Sequence, residues 1–205
     1  MVESVEQTIK VVGREPIKME KLVFLRHFRT RIERDKPASE WTLDETGIKE
    51  MREMIEGGRF EGFDRIISST EMKARITAEA ISERHGTPIE LSDDIVEVNR
   101  DYGFIEGNYR RVVERYLSEA DGFDHPWEEM SHVRARALRF VERLKAETGN
   151  ILVVSHGMFL SILLSRYFGQ PPADFWKSLA FGQMLEVDYE KLRLNLHDRH
   201  DALNT

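Results

Sequence analysis

Short unbroken apolar runs alternate along the chain with longer stretches in which apolar residues recur every three or four positions. Leu22-Val23-Phe24-Leu25 is continuous and too short for a helix, which predicts a strand buried on both faces, ending in charge at Arg26-His27. Thr42-Leu43-Asp44-Glu45 reads as a capping box, and Ile48, Met51 and Ile55 follow at helical spacing before Gly57-Gly58, so a helix is predicted there. Arg65–Ser68 predicts a second strand, and Glu71–His85 a helix with Ala74, Ala78 and Ile81 on one face and Gly86 as its stop. Ile89–Leu91 fits a third strand. Met130, Val133, Ala137, Phe140, Val141 and Leu144 predict a long helix from about Trp127 to Thr148, closed by Gly149. Ile151–Ser155 repeats the grammar of the first strand, with His156-Gly157 where it ends and another helix running through Phe168. Leu185–Tyr189 and Arg193–His197 alternate, predicting two outer strands, and the alternation around Ile9, Val11 and Val12 predicts a short edge strand or hairpin. Strands alternating with helices in this way predict one domain over residues 1–205, with 1–20 as an N-terminal extension. Its class is α/β, a three-layer α/β/α sandwich with a mainly parallel sheet.

Composition narrows the chemistry. The 205 residues contain no cysteine, so disulfides, thiolate nucleophiles and Cys-ligated metals are excluded, and a reducing cytoplasm is the expected location. The longest apolar runs, Leu22–Leu25, Ile151–Val154 and Met158–Leu164, fall well short of the roughly 20 residues of a membrane span. The start, MVESVEQTIK, has neither a basic n-region nor an apolar h-region, so secretion is not expected. A net charge of −7 disfavours nucleic acid as a partner, while local basic clusters remain free to hold a small anion.

Three predicted strands end in polar residues: Arg26-His27, Ser68-Ser69 and Ser155-His156-Gly157. In open α/β sheets ligands bind beyond the carboxyl ends of the strands, where loops converge and helix N-termini offer unpaired N–H groups. A capping or core role is the plainer reading of either histidine taken singly. Together, on neighbouring parallel strands, they would meet. An arginine fork beside one imidazole suits a phosphate, and the second imidazole holds charge next to the same anion. A neutral imidazole can attack phosphorus to give a phosphohistidine, provided cations absorb charge on the equatorial oxygens, and this chemistry requires no metal and no cofactor.

These residues carry a resemblance. Leu25-Arg26-His27, Ser68-Ser69 leading to Lys73-Ala74 and Thr77-Ala78, and Val154-Ser155-His156-Gly157 together resemble the histidine phosphatase superfamily, also called phosphoglycerate mutase-like, with Leu43-Asp44-Glu45-Thr46-Gly47 matching the usual helix start. The likeness spans about Leu22 to His200. It implies a phosphoglycerate mutase-like fold and a metal-independent phosphoric monoester hydrolase with His27 as the phospho-accepting nucleophile. Arg26 and His156 would bind the phosphoryl group, the backbone at Gly157 would face the same anion, Thr30 keeps a hydroxyl position of the family, and Lys73 aligns with its second phosphate-binding arginine.

The departures matter as much. Phe28 stands where the family has glycine, so a side chain is expected to intrude where the backbone passes close to ligand. Arg29 replaces a common acidic residue, and Thr70-Glu71 replaces Pro-Leu. Lys73 keeps its charge without the bidentate fork, so looser phosphate binding is expected. Arg75 lies about 200° around the helix from it and belongs to a solvated face. Asn99, four residues before Gly103, occupies the place of the family's proton-donating glutamate. Glu97 is the preferred replacement donor, with Asp101 as its mirror candidate, because losing general acid catalysis costs on the order of 10²–10⁴-fold. Branches acting on protein phosphohistidine manage without that glutamate, since a protonated imidazole leaves well. The expected activity is therefore hydrolysis of a phosphomonoester or a phosphohistidine, on a small phosphorylated metabolite or a phosphoprotein. The first rival is a weakly active or inactive phospholigand-binding regulatory member, and the second, less favoured, is a mutase. Oligomeric state is not legible.

Overall fold

Each face of the central sheet is covered because every strand of its middle is apolar on both sides. The computed structural model describes residues 19–100, 107–118 and 126–197. Its elements are β1 (Met19–Arg26), α1 (Glu45–Glu56), β2 (Arg65–Ser69), α2 (Met72–His85), β3 (Ile89–Ser92), α3 (Tyr109–Ser118), α4 (Met130–Arg143), β4 (Gly149–Ser155), α5 (Gly157–Leu164), α6 (Pro172–Ser178), β5 (Met184–Val187) and α7 (Tyr189–His197). The strands lie in the order β3-β2-β4-β1-β5. All pairs are parallel except β1 with β5. The class is the expected three-layer α/β arrangement with a mainly parallel sheet.

Successive residues of β1 feed opposite cores. Leu22 and Phe24 join Ile67, Ile151 and Val153 under α4 and α5, while Val23 and Leu25 join Ile66, Leu152 and Val154 under α1 and α2. This is why the run is continuous rather than alternating: both faces of the central strands β1, β2 and β4 are dry over their apolar runs. Burying a large aliphatic or aromatic side chain contributes roughly 1.5–3 kcal/mol, so the sheet is held from both sides.

Several boundaries differ from the sequence expectation. Helix α1 is capped by Asp44, whose Oδ1 accepts from the Gly47 N–H at 2.7 Å, two residues later than the Thr42 of the expected capping box. Thr42 instead lies in the loop, where its carbonyl accepts from Arg31 N–H. The long helix is shorter than expected, because Trp127 bridges to Arg100 and Glu128 N–H is bonded to Asn99 O, leaving Glu129 as the residue before the first turn. A 3-10 turn over Leu144–Ala146 follows, and Gly149 opens β4 rather than closing the helix. Helix α5 ends at Leu164, short of Phe168. Arg193–His197 is not a strand. It belongs to α7, since Leu192 is fully buried while Leu194 is 55% exposed, and Asp188 Oδ1 accepts from Lys191 N–H at 2.7 Å to start the helix. Helices α3 and α6 carry no prediction in the sequence reading. The alternation expected around Ile9, Val11 and Val12 lies outside the described residues, as does Asp101.

Candidate active site

Pairing of β1 with β4 sets Arg26 opposite Ser155, so the next residue of each strand is a histidine. The ladder continues one step further, with His27 N–H donating to Ser155 O at 3.0 Å. The two imidazoles stand with ring centroids 5.1 Å apart. Both are buried, His27 to 4% exposure and His156 completely.

Their hydrogen bonds fix their tautomers. His27 Nδ1 lies 2.7 Å from Phe28 O. A carbonyl only accepts, so Nδ1 carries the proton and Nε2 keeps a lone pair. Thr30 Oγ1 sits 3.5 Å from the same Nδ1, behind the ring rather than on the Nε2 side. His156 Nε2 lies 2.7 Å from Ser69 Oγ, which also accepts from Glu71 N–H. With Ser69 O–H donating to Nε2, the His156 Nδ1 bears hydrogen and faces Glu71 Oε2, 3.9 Å away. The other tautomer would set a lone pair against a carboxylate. Burial is the largest influence pushing both imidazoles well below the ordinary histidine range, followed for His27 by His156, Lys73 and Arg26 and for His156 by Lys73, Arg100, Arg136 and Arg26. Both rings are therefore neutral at neutral pH.

Cations flank them. Arg26 donates through Nη1 to Leu179 O, and its guanidinium lies over the Phe181 ring at 3.9 Å. Among the described residues its Nε is buried without a hydrogen-bond partner, and so is His156 Nδ1. Buried donors without a partner call for an explanation, and the oxygens of a bound anion would satisfy both. Arg26 comes this close only because residue 157 lacks a side chain, for a Cβ there would lie 3.0 Å from Arg26 Cζ. Lys73, in the first turn of α2, donates to Ala38 O at 2.8 Å and is bonded to the Glu71 carboxylate.

The structure brings Arg26, His27, Lys73 and His156 together and gives two other residues, Glu97 and Phe28, different surroundings from those expected. Glu97 is not placed as a proton donor. Its Oε1 accepts from Val98 and Phe159 N–H and its Oε2 from Met158 N–H, all within 2.9–3.1 Å. With both oxygens committed to N–H donors, the side chain serves as an acceptor that closes the N-terminus of α5. The same contacts occupy the amides of Met158 and Phe159 but not that of Gly157, whose lack of a side chain leaves room for Arg26. Phe28 does not intrude either. Its ring is 1% exposed and packs in the core, against Gly182, where a Cβ would be 2.6 Å from the ring and φ is +68°. Asn99 is exposed, with its backbone paired to Glu128. Arg75 pairs with Glu79 on the outer face of α2.

Two residues escaped the sequence reading. Glu71 departs from the family pattern, yet its Oε1 accepts from Glu97 N–H at 2.8 Å and its Oε2 reaches Lys73, which places a carboxylate inside the cluster. The signal was a Glu-x-Lys spacing directly after a buried strand. Phe181 covers the site from the turn before β5, 5.6 Å from the His27 ring. It also walls two surface hollows: one of about 240 Å³ beside Arg26, Arg110, Trp176 and Lys177, and one of about 580 Å³ beside Phe28, Glu50, Glu53 and Arg59.

Comparison with known proteins bears on the family and the fold. Residues 22–200 match the family model of the histidine phosphatase superfamily, branch 1. An adenosylcobalamin/alpha-ribazole phosphatase of Salmonella typhi is 30% identical over 147 residues, covering 65% of this chain and 71% of that protein. The phosphatase PhoE of Bacillus subtilis is 30% identical over 132 residues, covering 63% and 66%. Among solved structures, a mycobacterial glucosyl-3-phosphoglycerate phosphatase superposes with a TM-score of 0.63 at 19% identity, covering 81% of this chain and 88% of that one. A phosphoserine phosphatase of Entamoeba histolytica does so with a TM-score of 0.62 at 21% identity, covering 81% and 89%. These last two share the fold. Two facing histidines at adjacent strand ends, and a family match over nearly the whole length, lead to one assignment: the chain belongs to the histidine phosphatase superfamily, branch 1.

Proposed function

We propose that the protein is a phosphatase that hydrolyses a phosphomonoester or phosphohistidine through a covalent phosphohistidine at His27. The observation that carries this reading is the bond from His27 Nδ1 to Phe28 O, which aims an unprotonated Nε2 beside His156. Nε2 attacks phosphorus, the bond to the leaving group breaks, and water then hydrolyses the phosphorus–nitrogen bond. Arg26 Nε, His156 Nδ1 and the Lys73 ammonium take the phosphoryl oxygens, supplying positive charge where the transition state spreads its negative charge. Thr30 steadies the proton-bearing side of His27, and Gly157 keeps room for the guanidinium. Arg26 and Lys73 supply the charge that a metal would otherwise bring.

Small phosphorylated molecules are the favoured substrates, because the alpha-ribazole, glucosyl-3-phosphoglycerate and phosphoserine phosphatases named above are phosphatases of such molecules, and Phe181 lies 5.6 Å from the His27 ring. No helix among the described residues is long and apolar enough to cross a membrane. The test is acid-sensitive trapping. Incubation with a labelled phosphodonor and rapid quenching is expected to yield an acid-labile phosphoprotein, absent from His27→Ala. The Glu71–Lys73 ion pair favours one second reading, a phospholigand-binding protein of weak turnover. Tight phosphate binding by calorimetry, with no label on His27 and no release of phosphate, would favour that reading over catalysis.

A further inference from the structure

We propose that Glu71 carries the proton taken by the leaving oxygen when the phosphoryl group passes to His27; this deepens the phosphoenzyme reading above and rests on it. Glu71 stands at the turn from β2 into α2 with a side chain only 11% exposed. Its Oε2 touches the two groups assigned to phosphoryl oxygens, being bonded to the Lys73 ammonium and 3.9 Å from His156 Nδ1. Its Oε1 is held by Glu97 N–H at 2.8 Å, so the carboxyl group is aimed rather than free. An anion held by Lys73 and His156 is therefore in contact with this carboxyl group.

That contact lets the two groups share a proton. A carboxylate against a phosphate dianion is a like-charge pair, and a proton held between them relieves it. The incoming phosphoryl group also competes for Lys73, the counter-ion that Glu71 has in the free protein. Of the remaining charges around this cluster, Arg26, Arg100 and Arg136 act on His156, and Glu97 faces backbone amides. A proton on Glu71 relieves the repulsion and turns an acceptor into a hydroxyl donor directed at the phosphate oxygens. Glu97 is committed elsewhere and Asn99 has no acidic proton, which leaves Glu71 as the carboxyl group among the described residues that borders this anion.

The proton and electron pairs balance. The Nε2 lone pair forms the nitrogen–phosphorus bond, the bond from phosphorus to the leaving oxygen breaks with its electron pair on that oxygen, and Glu71 protonates it, so an alcohol departs. In the second half water attacks phosphorus, Glu71 carboxylate takes the water's proton, and the nitrogen–phosphorus pair returns to Nε2 as inorganic phosphate leaves. Water is the sole co-reactant.

The experiment compares kcat/KM across a series of aryl phosphates, from phenyl to 4-nitrophenyl phosphate, with phosphoenzyme trapping on the same donors. The wild-type protein is expected to depend weakly on leaving-group basicity. Glu71→Gln keeps the size of the side chain and its bond from Glu97 N–H. It is expected to lose ~100-fold or more on phenyl phosphate and less than ~10-fold on 4-nitrophenyl phosphate, whose anion departs without help, and Glu71→Asp to recover part of the loss. Equal losses on both substrates, no loss on either, or a steep dependence already in the wild-type protein would overturn the proposal, and the last of these needs no variant to fold. A phosphoenzyme formed by the wild-type protein alongside any of those results removes Glu71 alone. Absence of a phosphoenzyme with every donor removes the phosphatase reading, and this inference with it.

Discussion

A histidine wrapped in apolar side chains and cations holds its proton poorly, and that property has a cost in acid. His27 and His156 are both pushed well below their ordinary range. In the unfolded chain each titrates near its free value of about 6.5, so below that pH the unfolded state binds protons that the native state refuses. Their contribution to stability is fully present above pH ~6.5 and falls as pH drops from there toward the native values, by about 1.4 kcal/mol per pH unit for each ring. Denaturant midpoints measured from pH 7.5 to 5 should show this slope, and His156→Asn should make it shallower. For the proposed phosphohistidine chemistry the sign is favourable: His27 stays neutral at pH values where a surface histidine would be cationic. The acid limb of kcat/KM assigned to His27 is accordingly expected below pH ~6.5.

Helix α5 shows how an element can be held by a residue that looks catalytic from sequence. Its first amides, from Met158 and Phe159, end on Glu97, and Glu97 in turn sits in a segment gripped by Arg136, which donates to the carbonyls of Asp94, Val96 and Glu97. Glu128 pairs with Arg136 at 2.8 Å and completes the brace. Glu97→Gln places an amide NH2 against backbone N–H donors and should cost about 1–3 kcal/mol, read from chemical denaturation. Its effect on turnover should be the same for good and poor leaving groups, unlike that of Glu71→Gln. From sequence these two glutamates were separable only by geometry. A carboxylate two residues from the family's acid position suggested a donor, whereas the side chain three residues after Ser68 had no assigned task because pattern reading treated it as a helix start. The two histidines were legible because each closes an apolar run that has to be a buried strand. Arg193–His197 was misread because Leu192, Leu194 and Leu196 alternate as a strand would, while burial of Leu192 against exposure of Leu194 follows a helix.

At the scale of the whole molecule, the sheet separates two cores that share no residue: one beneath α4 and α5, the other beneath α1 and α2. Phe140 belongs to the first and Met51 to the second. Truncating Phe140 to Ala should cost ~3–5 kcal/mol and Met51 to Ala ~2–5 kcal/mol. The double variant should equal the sum within about 0.5 kcal/mol in urea titrations, whereas Phe140→Ala combined with Phe24→Ala should not, since those rings meet edge to face with centroids 6.5 Å apart. The layers and strand directions were readable from periodicity alone, because continuous apolar runs and helical stripes answer to burial. Helices α3 and α6 were not, since α3 is short and α6 begins at a proline that reads first as a turn. The pairing of β1 with β4 carries a further consequence. The distance between the His27 and His156 imidazoles is set by the spacing of two adjacent backbones near the molecule's dry centre, not by any connecting segment. Apart from Phe28 and Gly182, which pack on each other, segments 29–41 and 179–183 can then drift in sequence and alter what is admitted while the two histidines keep their gauge.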